Sequence, residues 1–237
     1  PVKNLRNSLK HKELKMKSTT QIITGVSAVL LIGCARTCAE NWSDNLYVHT
    51  DVGPAFLDNG STAFRGVNQG TSFSGHGHFK ADTGIRGDLA LGYHLTKSFA
   101  IETEAGAIYN SGPGDHDTFY QIPVMLNGVY QIRLNDSWKA YVGAGAGGVI
   151  SMTHSLFFDA AFHTPIVMED SDWSPGYQAE AGITYALSRH IDVDLEYKFL
   201  GVCEYNYRLG NTGSVFENVR VNDLFTHSVM LSLTWKF

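Results

Sequence analysis

Long hydrophobic runs are missing from most of this 237-residue chain. No stretch of about 18 or more consecutive apolar residues follows position 40, so no helix there is long and apolar enough to cross a bilayer. Cysteine is scarce as well: of three, only Cys203 lies beyond residue 39, which excludes an internal disulfide in that part. Basic charge is the third shortage. Seven of the 18 Lys and Arg, but one of the 23 Asp and Glu, precede residue 40. The remainder therefore holds 11 bases and 22 acids, a net charge of −11. Nucleic acid is excluded as a partner, because its phosphates demand a basic footprint.

Residues 1–39 have a different character. The basic "KNLRNSLKHKELKMKSTTQ" is followed by the apolar Ile22 to Ile32 and then by "CARTCAE". A basic region, a short apolar run and a small-residue exit have the layout of a secretory signal peptide, with Met16 as a natural start. Two cleavage sites compete. Thr37-Cys38-Ala39 suits ordinary signal peptidase and frees Glu40, whereas Leu31-Ile32-Gly33-Cys34 resembles a lipobox that would leave Cys34 acylated. The expected organisation is an exported leader over 1–39 and one domain over 40–237.

From Leu46 onward, eight segments alternate with period two, the mark of strands with two unlike faces. The clearest is "IDVDLEYKF", which sets Ile191, Val193, Leu195, Tyr197 and Phe199 against Asp192, Asp194, Glu196 and Lys198. The last, "FTHSVMLSLTWKF", sets Val229, Leu231, Leu233, Trp235 and Phe237 against Ser228, Ser232, Thr234 and Lys236. In all eight, charge falls on one parity; the other carries none, although it holds His227. A soluble, lipocalin-like periplasmic carrier would scatter charge over its outer face, and this pattern does not.

Two further features place lipid outside. The connections alternate long and short: 58–80, 95–98, 110–117, 132–137, 152–175, 188–190 and 200–223. Long loops at one end and tight turns at the other are the habit of outer-membrane barrels. Aromatics of the apolar parity gather at the tight-turn end, where Tyr93, Phe99, Tyr130, Trp138, Tyr185 and Trp235 would form an interfacial girdle. The fold expected is all-β: a closed, eight-stranded, antiparallel, up-and-down transmembrane barrel, whose closure leaves no backbone group unpaired in lipid.

The pieces "YQIPVMLNGVYQ", "WKAYVGAGAGGV", "YQAEAGITYALSRHIDVDLEYKF" and "HSVMLSLTWKF" resemble the eight-stranded outer-membrane β-barrel domain of Gram-negative bacteria, the OmpA/OmpX-like group, over about 46–237. The resemblance implies a site in the outer membrane. It also implies that Leu233, Trp235 and the terminal Phe237 act as a signal for the barrel-assembly machinery.

Eight strands enclose a space that side chains just fill, so no open pore is expected. The inward charges are Asp51, Arg86, Asp88, Glu102, Glu104, Lys139, Glu180, Asp192, Asp194, Glu196 and Lys198. Pairing across 188–190 puts Glu180 opposite Lys198 as an ion pair, and Arg86 is expected among Asp88, Glu102 and Glu104. Acids outnumber bases, which calls for water, a raised carboxylate pKa or a bound cation in the lumen. A lipid-modifying enzyme would need His, Ser and an acid on one face, but in His227-Ser228 adjacent strand residues point oppositely; His154-Ser155 is a second adjacent pair. His76, His78 and His116 in "GHGH" and "GDHD" are isolated loop histidines for which no metal is expected, and Phe157, Phe158 and Phe162 either form an adhesive patch or extend the strands. Cys203 has no assigned role. The expected protein is non-enzymatic and cofactor-free, with a structural or surface-interaction role in adhesion or envelope integrity. Its outer face would contact lipid, and any surface partner would meet the loops 58–80, 152–175 and 200–223.

Overall fold

The computed structural model describes residues 45–58, 60–68, 71–79, 82–112, 118–159, 164–209 and 215–237, and the expected signal segment and its cleavage sites lie outside them. Asn45–Phe237 forms one compact unit of ten strands: β1 (Leu46–Leu57), β2 (Gly60–Asn68), β3 (Thr71–Phe79), β4 (Gly84–His94), β5 (Phe99–Ser111), β6 (Thr118–Arg133), β7 (Trp138–Asp159), β8 (Thr164–Ala186), β9 (Ile191–Leu209) and β10 (Val215–Lys236). All pairings are antiparallel, and β1 pairs with both β4 and β10, which closes the sheet.

Ten strands make eight staves. Against β10, β1 ends at Leu57↔Thr226 and β2 resumes at Ser61↔Asn222, so both sides advance by four residues and the register is unbroken. Likewise Ala55↔Gly84 in the β1–β4 pair leads to Gly60↔Phe79 in the β2–β3 pair, five residues on each side. Thus β1 with β2 forms the first stave and β3 with β4 the second.

The tight turns are built alike. In Leu95–Phe99, Leu134–Trp138 and Leu187–Ile191, the residue after leucine caps the turn. Thr96 Oγ1, Asn135 Oδ1 and Ser188 Oγ each accept from two backbone N–H groups at 2.9–3.2 Å. Short polar side chains that bond their own backbone two and three residues ahead are natural turn formers.

At the opposite end the structure corrects the loop boundaries. The expected loop 58–80 is mostly β2 and β3; 152–175 is the paired arms of β7 and β8, and 200–223 those of β9 and β10. The alternative that 157 and 158 extend a strand is the one observed; the side chains of Phe157 and Phe158, and all of Phe162, lie outside the described residues. Beyond the lipid band both faces of a strand can meet water, so apolar–polar alternation lapses while backbone pairing continues.

Lateral faces follow the sequence parity. Phe99, Tyr130, Trp138, Tyr185, Trp235 and Phe237 are exposed at the turn end and Tyr93 is half-buried there; Phe99 faces Tyr130, and the rings of Trp138 and Tyr185 lie 4.9 Å apart. A second ring at the loop end, unforeseen in the sequence, comprises Phe56, Tyr109, Tyr120, Trp173, Tyr177 and Tyr197. Between them lie exposed Val52, Leu89, Leu126, Val142, Ile183, Leu195 and Leu231. An apolar band flanked by two aromatic girdles is the outer surface of a barrel in a bilayer.

Inside, the composition changes along the axis. Toward the turns the lumen is charged. Toward the loops, Ala55, Leu57, Ile108, Phe119, Met125, Val149, Leu200, Val202, Tyr205, Val221 and Leu224 form a buried apolar cluster. The polar lumen expected from the inward charges is therefore capped by a hydrophobic layer, and each buried aliphatic there contributes roughly 1.5–3 kcal/mol.

Candidate functional site: the closed lumen

The charged part of the lumen is centred on Lys198 (β9) and Arg86 (β4), both 1% exposed or less. An ammonium has three N–H donors. Those of Lys198 reach Asp51 at 2.6 Å, Glu104 at 3.0 Å and Asp88 at 3.2 Å. The Arg86 guanidinium donates from Nε to Asp88 at 2.7 Å, and from Nη2 to Gln178 at 2.8 Å and Glu104 at 3.2 Å. Gln178 and Asn127 donate in turn to Glu104. These bonds tie together β1, β4, β5, β6, β8 and β9, so the network crosses the barrel and does not line one wall.

Two expected pairs are corrected. Glu180 and Lys198 are opposite in register, yet the lysine turns away to the three carboxylates of β1, β4 and β5. Three converging negative charges outweigh one neighbour, and the long lysine stem can reach them. Glu180 instead lies over Gly143 and accepts from Gln178 at 3.5 Å. Arg86 does sit with Asp88 and Glu104, but not with Glu102, which accepts a 2.5 Å bond from Tyr47. Nearer the turns, Lys139 and Lys236 both hold Asp192, at 3.3 and 2.7 Å.

Tyrosines carry a part of the site that the sequence did not suggest. Tyr47 donates to Glu102 and Tyr141 donates to Glu196, each at 2.5 Å. Each ring lies flat on a glycine of the next strand: a Cβ on Gly92 would stand 2.1 Å from the Tyr47 ring, and one on Gly182 would stand 2.6 Å from that of Tyr141. Their inward parity is legible, but tyrosine there reads as apolar lining; the signal available was the small residue placed opposite. His49 was also missed. Its Nδ1 meets Thr234 Oγ1 at 2.9 Å, and its Nε2 faces Asp51 at 3.4 Å and Glu196 at 3.8 Å.

On β10, Ser228 is buried on the lumen side and His227 faces outward, so that adjacent pair does not cooperate. His227 instead contacts the Tyr197 hydroxyl through Nδ1 at 2.5 Å and Asp58 through Nε2 at 3.2 Å. His76 is exposed on β3, Cys203 is exposed on β9, and the side chains of His78, His154 and Ser155, with all of His116, lie outside the described residues.

A closed eight-stave barrel with an apolar band outside and ion pairs inside defines the class, an outer-membrane β-barrel. The chain belongs to the outer membrane protein beta-barrel domain family, whose sequence signature spans residues 26–237. No curated protein sequence matches it. Among solved structures it is similar to the outer membrane protein OprG from Pseudomonas aeruginosa, at 16% identity and a TM-score of 0.53, with 82% of this chain and 98% of that one covered. It is also similar to the outer membrane protease OmpT from Escherichia coli, at 11% identity and a TM-score of 0.51, with 85% and 99% covered. At such identities these likenesses concern the fold.

Proposed function

We propose that this protein is a non-enzymatic constituent of the outer membrane, exported through cleavage of its leader, with a structural and surface-interaction role. The single observation behind this is the filled lumen: a salt-bridged network that spans the barrel, under an apolar cap. A channel needs a continuous wet path, and an enzyme needs an accessible reacting group; a packed interior favours neither. The long paired arms at the loop end offer a broad surface for a partner, on β2, β3 and the upper parts of β7 to β10. Leu233, Trp235 and Phe237, all exposed on the outer face of the last strand, are the residues offered to the assembly machinery.

The test uses cells making the full chain or a variant whose residues 60–79 are replaced by a short turn. Binding of the cells to immobilised glycans and matrix proteins should be lost in the variant, while barrel folding persists. Binding that survives the replacement would count against the reading.

One observation favours a second reading, a lipid-modifying enzyme. Tyr197, His227 and Asp58 converge on the outer face at the loop-end girdle, where lipid headgroups lie. A change in the envelope's lipid composition that depends on His227 would support it, and unchanged lipids in His227→Phe would remove it.

A further inference from the structure

The lumen holds a histidine whose hydrogen bonds settle its tautomer. The Thr234 hydroxyl has one proton and donates it to Asp194 at 3.0 Å. Toward His49 Nδ1, 2.9 Å away, Thr234 Oγ1 must therefore act as acceptor, which puts a proton on Nδ1. Neutral His49 then presents the Nε2 lone pair to Asp51 Oδ2 at 3.4 Å and Glu196 Oε1 at 3.8 Å. A lone pair and two carboxylates face one another, a contact that calls for a positive charge between them, either a second ring proton or a bound cation.

Lys198 compensates Asp51, donating to that same Oδ2 at 2.6 Å, but leaves Glu196 uncovered. Lys198 stands 3.4 Å from Glu196 Oε1, but its three protons go to the closer Asp51, Glu104 and Asp88. Glu196 is 3% exposed, its Oε2 is fixed by Tyr141, and its Oε1 has no hydrogen-bond partner among the described residues. Asp51 is oriented by the backbone N–H of Asp88 on its other oxygen. Glu102 and Asp194 accept bonds from hydroxyls and Glu180 from an amide, so the region keeps excess negative charge.

There is also room. A cavity of about 30 Å³ is lined by His49, Glu102, Glu180, Asp194 and Glu196, enough for an ion with a water. His94, Gln131, Lys139 and Lys236 line both this cavity and a wider one of about 600 Å³ at the turn-end mouth, which provides an access route.

We propose that His49 Nε2, Asp51 Oδ2 and Glu196 Oε1 form a binding site for a divalent transition-type cation, reached from the turn end of the barrel. Tetrahedral ligands at about 2.1 Å from zinc stand about 3.4 Å apart; Nε2 lies 3.4 and 3.8 Å from the two carboxylate oxygens, and all three atoms fall within 4.8 Å of one another. Nitrogen with two carboxylates suits zinc and its neighbours, and the Thr234 bond to Nδ1 is the outer-shell support that metal-bound histidines have. The ion would offset the excess carboxylates and tie β1 to β9.

The test is zinc titration by calorimetry of the metal-stripped, folded full-length barrel in detergent, with gel mobility before and after boiling as the check of folding. One zinc per chain should bind, with affinity falling by more than about tenfold in His49→Ala and in Glu196→Gln. Asp136→Asn, on an exposed turn, should leave it unchanged. Cobalt(II) with the unaltered protein gives a readout that needs no variant: strong visible absorption of a low-coordinate site is expected, and only the weak spectrum of the hydrated ion would overturn the proposal. Absent zinc binding would overturn it as well, as would weak multi-site binding equal in folded His49→Ala and Glu196→Gln.

Discussion

Arg86 on the second stave and Gln178 on the sixth stand on diametrically opposite walls of the eight-stave barrel, yet the guanidinium donates to the amide oxygen at 2.8 Å. A bond across the full diameter means that the lumen is closed at that level by side chains whose partners lie on many strands.

Replacing Arg86 by methionine keeps much of its volume and removes its charge, leaving Asp88 and Glu104 with less compensation. Breaking a buried pair from one side costs about 3–5 kcal/mol. Urea unfolding in detergent should show a loss of that order, whereas a loss below about 1 kcal/mol would mean that the network is solvated.

Gly182 admits the Tyr141 ring, and a valine there would place a carbon 2.6 Å from it. Gly182→Val should displace the ring, break the Tyr141–Glu196 bond and destabilise the barrel by about 1–3 kcal/mol. Near-ultraviolet circular dichroism would report the altered tyrosine, and an unchanged spectrum would contradict the packing described.

Midway between the girdles, Leu231 is 60% exposed, which would be odd for a leucine in water. Leu231→Arg should cost about 2–4 kcal/mol for folding into lipid vesicles, as arginine does at a bilayer midplane. Ser232→Ala, on the inward neighbour, should cost far less. Equal costs would argue against lipid on the outer face.

Cys203 tests orientation. It is exposed on β9, on the loop-end side of Tyr197, and tight turns belong on the periplasmic side. In intact cells an impermeant maleimide should label Cys203. A cysteine introduced as Asp136→Cys in the Cys203→Ser background should react only after the outer membrane is opened. The reverse pattern would invert the topology.

Most of the barrel's lower half was legible in the sequence because one face meets lipid and the other a polar lumen, which forces strict alternation from Asp192 to Phe199. The tight turns were legible as the short gaps 95–98, 132–137 and 188–190 between alternating segments, whereas the capping by Thr96, Asn135 and Ser188 was not foreseen. The upper half was not, since Leu57, Leu200, Val202 and Leu224 sit on the parity that lower down carries charge, and their neighbours are wet or aromatic. Within the site, the buried charges share one parity, but parity does not give their partners. Lys198 ignores its register neighbour Glu180 because a long side chain in a narrow lumen reaches whichever carboxylates converge. Register is local, while charge compensation is decided across the whole cross-section.

The most direct measurement of a closed lumen is single-channel recording of the folded protein in a planar bilayer. No unitary conductance steps are expected, because the Arg86 and Lys198 networks and the apolar cap above them leave no continuous aqueous path. Steady, reproducible steps from the unaltered protein would contradict this directly.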